Sequence, residues 1–384
     1  MIAHSALRRC GPYVQLNRGP KGLEFNTLPL ADFLAMQTIL SSLVRAAGSL
    51  YIGDHPQWRS ADPSHDDDHN SDSPSCGKLL SRPEVAMLMR SYLDRLQIPY
   101  PTPSDQSAFE QTCVEICFER GYMTPTDQSL RPFLSVGAAM ACNGFLHLPS
   151  IPARQFICFV SAFMLLSEDR LKEDIDAIRA FSECFTRNEP QKHPMLDHLA
   201  ALVHQLPEIF DQVAASIMTT SVLNFITAIA LEHELEGTAL EKSAVRYPIF
   251  ARVMTGAGEM FALWVFGVQG LPLGAYLQAV PDIVDFINYG NDILSFYKEE
   301  MAGETVNLVH TLARCRGVPH AAVLRSLIDD AVTAHERTLR TLSPHRGAYE
   351  TYRRFSEGYV AFHVATRRYR LDELELGLQG PVSE

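Results

Sequence analysis

The feature that most constrains this chain is the spacing of its apolar residues. From Arg82 onward they recur at intervals of three and four, segment after segment, with proline or glycine marking the joins. That is the period of an amphipathic helix, and no stretch of useful length alternates with the period of two that a half-buried strand needs. The spacing predicts helices over 82–96, 106–122, 132–146, 153–172, 175–186, 195–204, 206–234, 247–268, 273–279, 281–301, 306–315, 320–342 and 349–376. Pro149, Pro152, Pro190, Gly237, Gly270-Leu271-Pro272 and Gly317 punctuate the joins. Stretches 153–166, 213–231 and 254–266 are apolar on most sides, which suits helices inside a bundle. A bundle of this kind can be solid or can enclose an apolar cavity, and spacing leaves both open. The expected fold is all-α, a single domain of many helices.

The first 80 residues read differently. Residues 28–50 have the pattern of one amphipathic helix. Gly53 to Lys78 is rich in Pro, Ser, Asp, His and Gly and reads as a disordered loop. It holds Asp66-Asp67-Asp68 and Asp72, but no periodic framework surrounds these carboxylates, so they read as solvated linker charge and not as a metal motif. The expected organisation is an extension over 1–80 followed by a helical domain over 81–384.

Charge and composition exclude several classes of function. Asp and Glu outnumber Lys and Arg by 45 to 33, a formal charge of −12, which is the wrong field for nucleic acid or an anionic membrane surface. The longest strongly apolar run, Phe156 to Leu166, is shorter than the ~20 residues needed to span a bilayer, so no membrane span is expected. Residues 1–20 carry scattered Arg without the apolar core of a signal peptide. Of eight cysteines, Cys113 and Cys117 form a close pair with no second pair to complete a zinc site. They and Cys158 read as small buried hydrophobes in a reducing compartment, with the cytoplasm as the expected location.

One stretch carries chemistry. Asn291, Ser295 and Glu299 are spaced i, i+4, i+8 and share one helix face, because four residues advance only ~40° beyond a full turn. Side chains lean toward the helix N-terminus, so the long Glu reaches back toward the shorter Ser and Asn. Three oxygen donors can converge on one hard cation such as Mg2+. Lys298 stands beside them and suits an anionic ligand bridged by that ion. The alternative is the polar face of an exposed helix, although Asn and Ser are poor helix formers.

The string Asn291-Asp292, Ser295, Lys298-Glu299 resembles the second metal motif of the class I terpene cyclases, and Ser295-Phe296-Tyr297-Lys298-Glu299 is similar to the trichodiene synthase-like branch. Gly358-Tyr359-Val360, His363 and Arg367-Arg368-Tyr369-Arg370-Leu371 resemble the C-terminal basic motif of that family. Tyr247-Pro248, Phe250, Arg252, Met254, Gly256 and Gly258 resemble its helix preceding the metal motif. The resemblance runs from about Arg131 to Leu376. It implies one α-helical domain around an apolar active site, three Mg2+ ions and a prenyl diphosphate substrate. Carried over by position, Asn291, Ser295 and Glu299 would chelate one ion. Arg252, Lys298, Arg368 and Tyr369 would hydrogen-bond the diphosphate, with Arg252 as its sensor. The family includes homodimers, but the sequence shows no interface signal.

The family's Asp-rich first motif is degenerate here. Its place falls on Ser167-Glu168-Asp169, with the leading acidic pair either Ser167-Glu168 or Glu168-Asp169 and no clean third Asp after it. Glu168 belongs to the pair in both registers and Asp169 in one. Asp169 and Glu173 could instead pair with Arg170 and Lys172 on a wet face. Phe159, Phe163, Phe225, Phe261, Trp264 and Tyr289, all on apolar segments, are candidates to face a carbocation by cation–π attraction, with plain core packing the alternative for each. Gly256 and Gly258 could break their helix near the substrate or serve packing. The expected activity is a Mg2+-dependent sesquiterpene cyclase acting on farnesyl diphosphate. A cyclase for geranyl or geranylgeranyl diphosphate, or a non-catalytic prenyl-diphosphate-binding relative, are the alternatives.

Overall fold

The structure is a computed structural model that describes residues 80–267 and 270–376. The expected helix over 28–50, the loop over 53–78, Cys10 and Cys76 lie outside the described residues. Among the described residues the regular structure is all helical, joined by loops and turns, with no strand.

The helices are α1 (Arg82–Leu96), α2 (Ser107–Glu119), α3 (Arg131–Ala139), α4 (Ile151–Asp169), α5 (Ile175–Arg187), α6 (Pro194–His204), α7 (Leu206–Ile209), α8 (Gln212–Glu234), α9 (Tyr247–Gly256), α10 (Gly258–Trp264), α11 (Val280–Ala302), α12 (Leu308–Arg316), α13 (His320–Leu342) and α14 (Arg346–Ala365). Local chemistry accounts for their ends. The α1 start is boxed by Ser81, whose backbone N–H and hydroxyl both donate to the Glu84 carboxylate at 2.8 and 2.6 Å. Ser150 caps α4, with Pro152 in its first turn. Gly303 closes α11 in the left-handed conformation that glycine adopts freely.

The expected helices depart from the structure at several joins, including the end of 153–172, where the helix stops at Asp169 and a 3-10 turn, Leu171–Glu173, follows. Residues 206–234 are two helices, because Phe210 is extended and Asp211 recaps the chain by accepting the Val213 N–H at 2.9 Å. Residues 247–268 break at Ala257, a left-handed residue (φ 45°) between α9 and α10. The flanking glycines are required by close approach: a Cβ on Gly256 would lie 2.2 Å from Asn288 Oδ1, and one on Gly258 2.8 Å from Val284 Cγ1. Both contacts are with α11. The end of 132–146 widens into a π-helical turn, Met140–Gly144, against which α14 packs so closely that a Cβ on Gly358 would lie 2.3 Å from the Asn143 carbonyl oxygen. Residues 273–279 form two short 3-10 turns. Finally, α14 stops at Ala365, and the basic motif lies beyond it in the 3-10 turns Arg367–Tyr369 and Leu371–Leu374.

Helix α11 is buried almost all round. It packs against α13 on one side and α10 on another, and the Arg367–Tyr369 turn rests on it. Phe286, Ile293 and Phe296 of α11 are fully buried, each worth about 1.5–3 kcal/mol. Helix α4 packs against α3 and α6, and α8 against α5, α9 and α10. By length and composition alone, α4 and α8 could each cross a membrane; both are packed into the bundle, with 67% and 50% of their most apolar windows buried. The described cysteines, Cys113, Cys117, Cys142, Cys158, Cys184 and Cys315, are all free and buried.

Candidate active site

Two helices distant in sequence supply the acidic side chains. Helix α11 presents Asn291, Ser295 and Glu299 along one face. The Ser295 hydroxyl is buried without a hydrogen-bond partner; it lies near enough to Glu299 to favour that carboxylate's charge, but outside hydrogen-bond geometry. The Glu299 side chain is only 13% exposed, and burial pushes its pKa upward, opposed by Ser295 and by Lys298, whose Nζ lies 3.8 Å from Oε1. Asn291 is oriented from behind. Its Nδ2 meets His363 Nε2 at 3.3 Å, while the Arg252 Nη2 donates to its Oδ1 at 3.3 Å. His363 Nδ1 lies 2.8 Å from the Tyr359 carbonyl, which can only accept, so Nδ1 carries the proton and Nε2 accepts from Asn291. Three oxygen donors, one of them a buried hydroxyl with no other partner, form a set suited to a hard divalent cation.

At the end of α4 the geometry separates the two possible registers. Ser167 is buried and spends its hydroxyl on the Phe163 carbonyl of its own helix at 2.8 Å. Asp169 reaches across 199 residues to Arg368, at 2.7 and 3.3 Å from the two guanidinium nitrogens. It pairs with neither Arg170 nor Lys172, because α4 ends at Asp169 and Glu173 lies in a 3-10 turn off the helix face. Glu168 makes no hydrogen bond or ion pair among the described residues. It keeps water-accessible surface yet is ringed by protein, so its pKa is raised by that desolvation and by Asp169, against the pull of Arg368, Lys298 and Arg252.

Tyr369 joins the two acidic groups. Its hydroxyl lies 3.5 Å from Asn291 Nδ2, and burial raises its pKa, with the charges of both Glu168 and Glu299 adding to the rise and Arg368 opposing it. Its ring stands against His363 and Phe362. The other cations also hold carboxylates. Arg252 directs Nε to both oxygens of Asp292 at 2.8 Å and Nη2 to the Asn288 carbonyl at 3.0 Å. Lys298 also lies 3.4 Å from Glu304. Two arginines nearby are engaged elsewhere: Arg370 of the basic motif pairs with Glu373, and Arg353 of α14 with Glu350 and Glu357 on the surface.

Two residues escaped the sequence reading. Asp292, inside the metal motif, is the buried partner of Arg252; the i+1 position hides it from the stripe, but its place next to Asn291 was a usable signal. Glu232, near the end of α8, keeps water-accessible surface, yet desolvation by the protein around it and the charge of Glu168 push its pKa up to about 7, which brings α8 to the same acidic group. Its neighbours in sequence carry no motif that could have flagged it.

The six aromatic candidates divide. Phe225 lies seven residues before Glu232 and so shares its helix face. Phe159 and Phe163 are fully buried, packed edge-on to Tyr122, and the Arg120 guanidinium lies over the Phe159 ring at 5.7 Å. Trp264 is fully buried, edge-on to Phe145, Phe156 and the half-buried Phe261, with its indole N–H unpartnered. Tyr289 is not brought to the acidic groups: it lies ~160° around α11 from Asn291, and Asp285 and Asp330 are foremost among the charges acting on it.

With these residues assembled, comparison with known proteins is decisive. The profile described as Trichodiene synthase (TRI5) matches residues 150–376, more than half of the chain. The chain belongs to the trichodiene synthase family. Within that family, alpha-cuprenene synthase COP6 of Coprinopsis cinerea is 29% identical over 293 residues, covering 76% of this chain and 90% of its own. Terpene synthase BipA of Cochliobolus sativus is 30% identical over 299 residues, covering 76% and 91%. Among solved structures, linalool/nerolidol synthase from Streptomyces clavuligerus in complex with 2-fluorogeranyl diphosphate superposes with a TM-score of 0.53 at 15% identity, covering 72% of this chain and 97% of that one. This last likeness shows the shared all-α class I fold. The chain is a terpene cyclase, a lyase that releases diphosphate.

Proposed function

We propose that the chain is a Mg2+-dependent sesquiterpene cyclase that ionises farnesyl diphosphate, with residues 81–384 as the catalytic domain and 1–80 as an extension. The observation that carries the reading is Tyr369, which feels the charges of Glu168 and Glu299 from two distant helices while standing beside Asn291. Asn291, Ser295 and Glu299 would hold one Mg2+, and Glu168, with Asp169, would take part in holding two more. Bound there, the ions supply Lewis-acid neutralisation of the charge that grows on the departing diphosphate.

The chain's own groups do the rest. Arg252, Lys298, Arg368 and Tyr369 donate hydrogen bonds to the diphosphate oxygens. Arg252 and Arg368 are held by Asp292 and Asp169, and Lys298 by Glu299 and Glu304. Engaging diphosphate means sharing or leaving those partners, which couples binding to movement of the α4 end and of the Arg367–Tyr369 turn. Phe225, on the Glu232 face of α8, is foremost among the aromatic candidates to exclude water from the allylic cation and offer it a ring face.

Incubation with farnesyl diphosphate and Mg2+ should yield a volatile terpene, read by gas chromatography and mass spectrometry. Asn291→Ala and Glu299→Ala should abolish it with the fold intact. Parallel reactions with geranyl and geranylgeranyl diphosphate decide chain length: faster turnover of either overturns the farnesyl assignment. No product from any of the three would overturn the proposal as a whole.

A further inference from the structure

A second cluster of ligating groups lies where α11, α12 and α13 meet. Glu300 follows Glu299 by one residue and so points ~100° away from the Asn291/Ser295/Glu299 face. Its side chain is only 7% exposed, and both carboxylate oxygens are buried with no hydrogen-bond donor. A carboxylate buried without donors is costly, and a native structure keeps one only for a reason. His310, in the first turn of α12, faces it with Nε2 3.1 Å from Oε1. His320, which opens α13, sets its ring 4.2 Å from that of His310, tilted by 55° to it, and has a buried, unpartnered Nδ1. One ligand atom from each of the three lies within 4.8 Å of the others.

The tautomer of His310 is settled by its neighbour. Asn307 caps α12, and its Oδ1 accepts the His310 backbone N–H at 2.9 Å, so that atom is the amide oxygen. The same oxygen lies 2.9 Å from His310 Nδ1, which must then be the donor. In the neutral ring Nε2 is left as a lone pair aimed at a carboxylate oxygen. Two electron-rich atoms at that distance need a cation between them. A proton could bridge His310 and Glu300, but it would leave the second imidazole unused. A metal ion uses all three.

We propose that Glu300, His310 and His320 form a binding site for a borderline transition-metal ion, Zn2+ foremost, separate from the oxygen-only site on the neighbouring face of α11. Two imidazoles and one carboxylate are zinc chemistry and not magnesium chemistry, and Asn307 orients His310 from behind as a ligand-supporting residue does. In tetrahedral zinc the ligand atoms stand ~3.3 Å apart, given bonds of ~2.0–2.1 Å, so small side-chain movements complete the site. The ion ties the last turn of α11 to the starts of the next two helices, directly behind Glu299.

The test uses the full chain, stripped with a chelator and titrated with Zn2+ in excess Mg2+, with stoichiometry from a competing chromogenic chelator and melting temperature followed in parallel. The wild type and Asn291→Ala should each bind one tight equivalent of Zn2+ and melt at higher temperature with it. His310→Ala and His320→Ala should lose that equivalent, weakening binding at least ~10-fold. Glu300→Gln guards against misfolding: removing an orphaned buried charge keeps the fold, and the melting temperature should no longer respond to Zn2+. Co2+ in place of Zn2+ should show the intense visible absorption of a four-coordinate site in the wild type only among these ligand variants. No tight equivalent in the wild type, an unchanged one in His310→Ala and His320→Ala, or one lost in Asn291→Ala would overturn the proposal.

Discussion

Replacing His363 with Leu tests how Asn291 is held. His363 is fully buried, its Nδ1–H is committed to the Tyr359 carbonyl, and Nε2 accepts from Asn291 Nδ2. Leu fills similar space but offers no acceptor, so the amide of Asn291 loses one of the contacts that fix its orientation, keeping the Arg252 Nη2 donation to Oδ1 and the longer contact with the Tyr369 hydroxyl. The hydrogen bond is long, and one such bond is worth about 0.5–1.5 kcal/mol net, or roughly 2- to 12-fold in an equilibrium constant. Groups that hold a metal ligand from behind commonly cost 10–100-fold in metal affinity when removed. The expected result is therefore a rise of about tenfold in the Mg2+ concentration for half-maximal diphosphate release, with kcat at saturating Mg2+ little changed. Burial pushes the His363 pKa down to about 4, so the ring is neutral at assay pH and the wild-type to variant ratio should be flat from about pH 6 to 9. His363→Gln, which restores an acceptor, should recover part of the loss. An unchanged Mg2+ dependence in a folded His363→Leu protein would refute the reasoning.

Arg368→Met should cut turnover by orders of magnitude while the melting temperature moves little, because the Arg368–Asp169 pair is about one-third exposed and such pairs contribute at most ~1 kcal/mol; a large stability loss would recast the arginine as structural. Glu232, with its pKa near 7, gains charge as pH rises, so Mg2+ should bind more tightly from pH 6 to 8, and Glu232→Gln should flatten that trend in a titration of Mg2+ against pH. Acid stability depends on His335, whose pKa burial lowers from 6.5 to about 4. Above pH 6.5 it is neutral folded and unfolded and contributes nothing to the pH dependence. As pH falls from 6.5 toward 4 the unfolded chain takes up the proton and the folded chain does not, costing about 3 kcal/mol, so chemical denaturation midpoints should fall over that window and fall less in His335→Leu.

Helix positions were legible because a helix is local. The Asn291, Ser295, Glu299 stripe follows from three residues and the helical angle, and α11 carries it as spaced. Breaks were less legible where they depend on a neighbour. Residues 247–268 look like one helix until Gly256 and Gly258 are seen pressed against Asn288 and Val284 of α11, with Ala257 forced left-handed between them. The basic motif looked like a continuation of α14, yet Thr366 is extended and returns its hydroxyl to the Phe362 carbonyl, which turns Tyr369 back onto α11.

By itself the sequence determined an all-α bundle, a stripe of three oxygen donors on one helix face and kinship with the trichodiene synthase family, because periodicity, spacing and motifs are written along the chain. Only the tertiary structure decided which charges meet. Asp169 finds Arg368 rather than Arg170, Glu232 comes under the field of Glu168, and Glu300 gathers two histidines from the next two helices. Each of these pairings is set by how helices pack, and packing depends on surfaces that no stretch of chain contains alone.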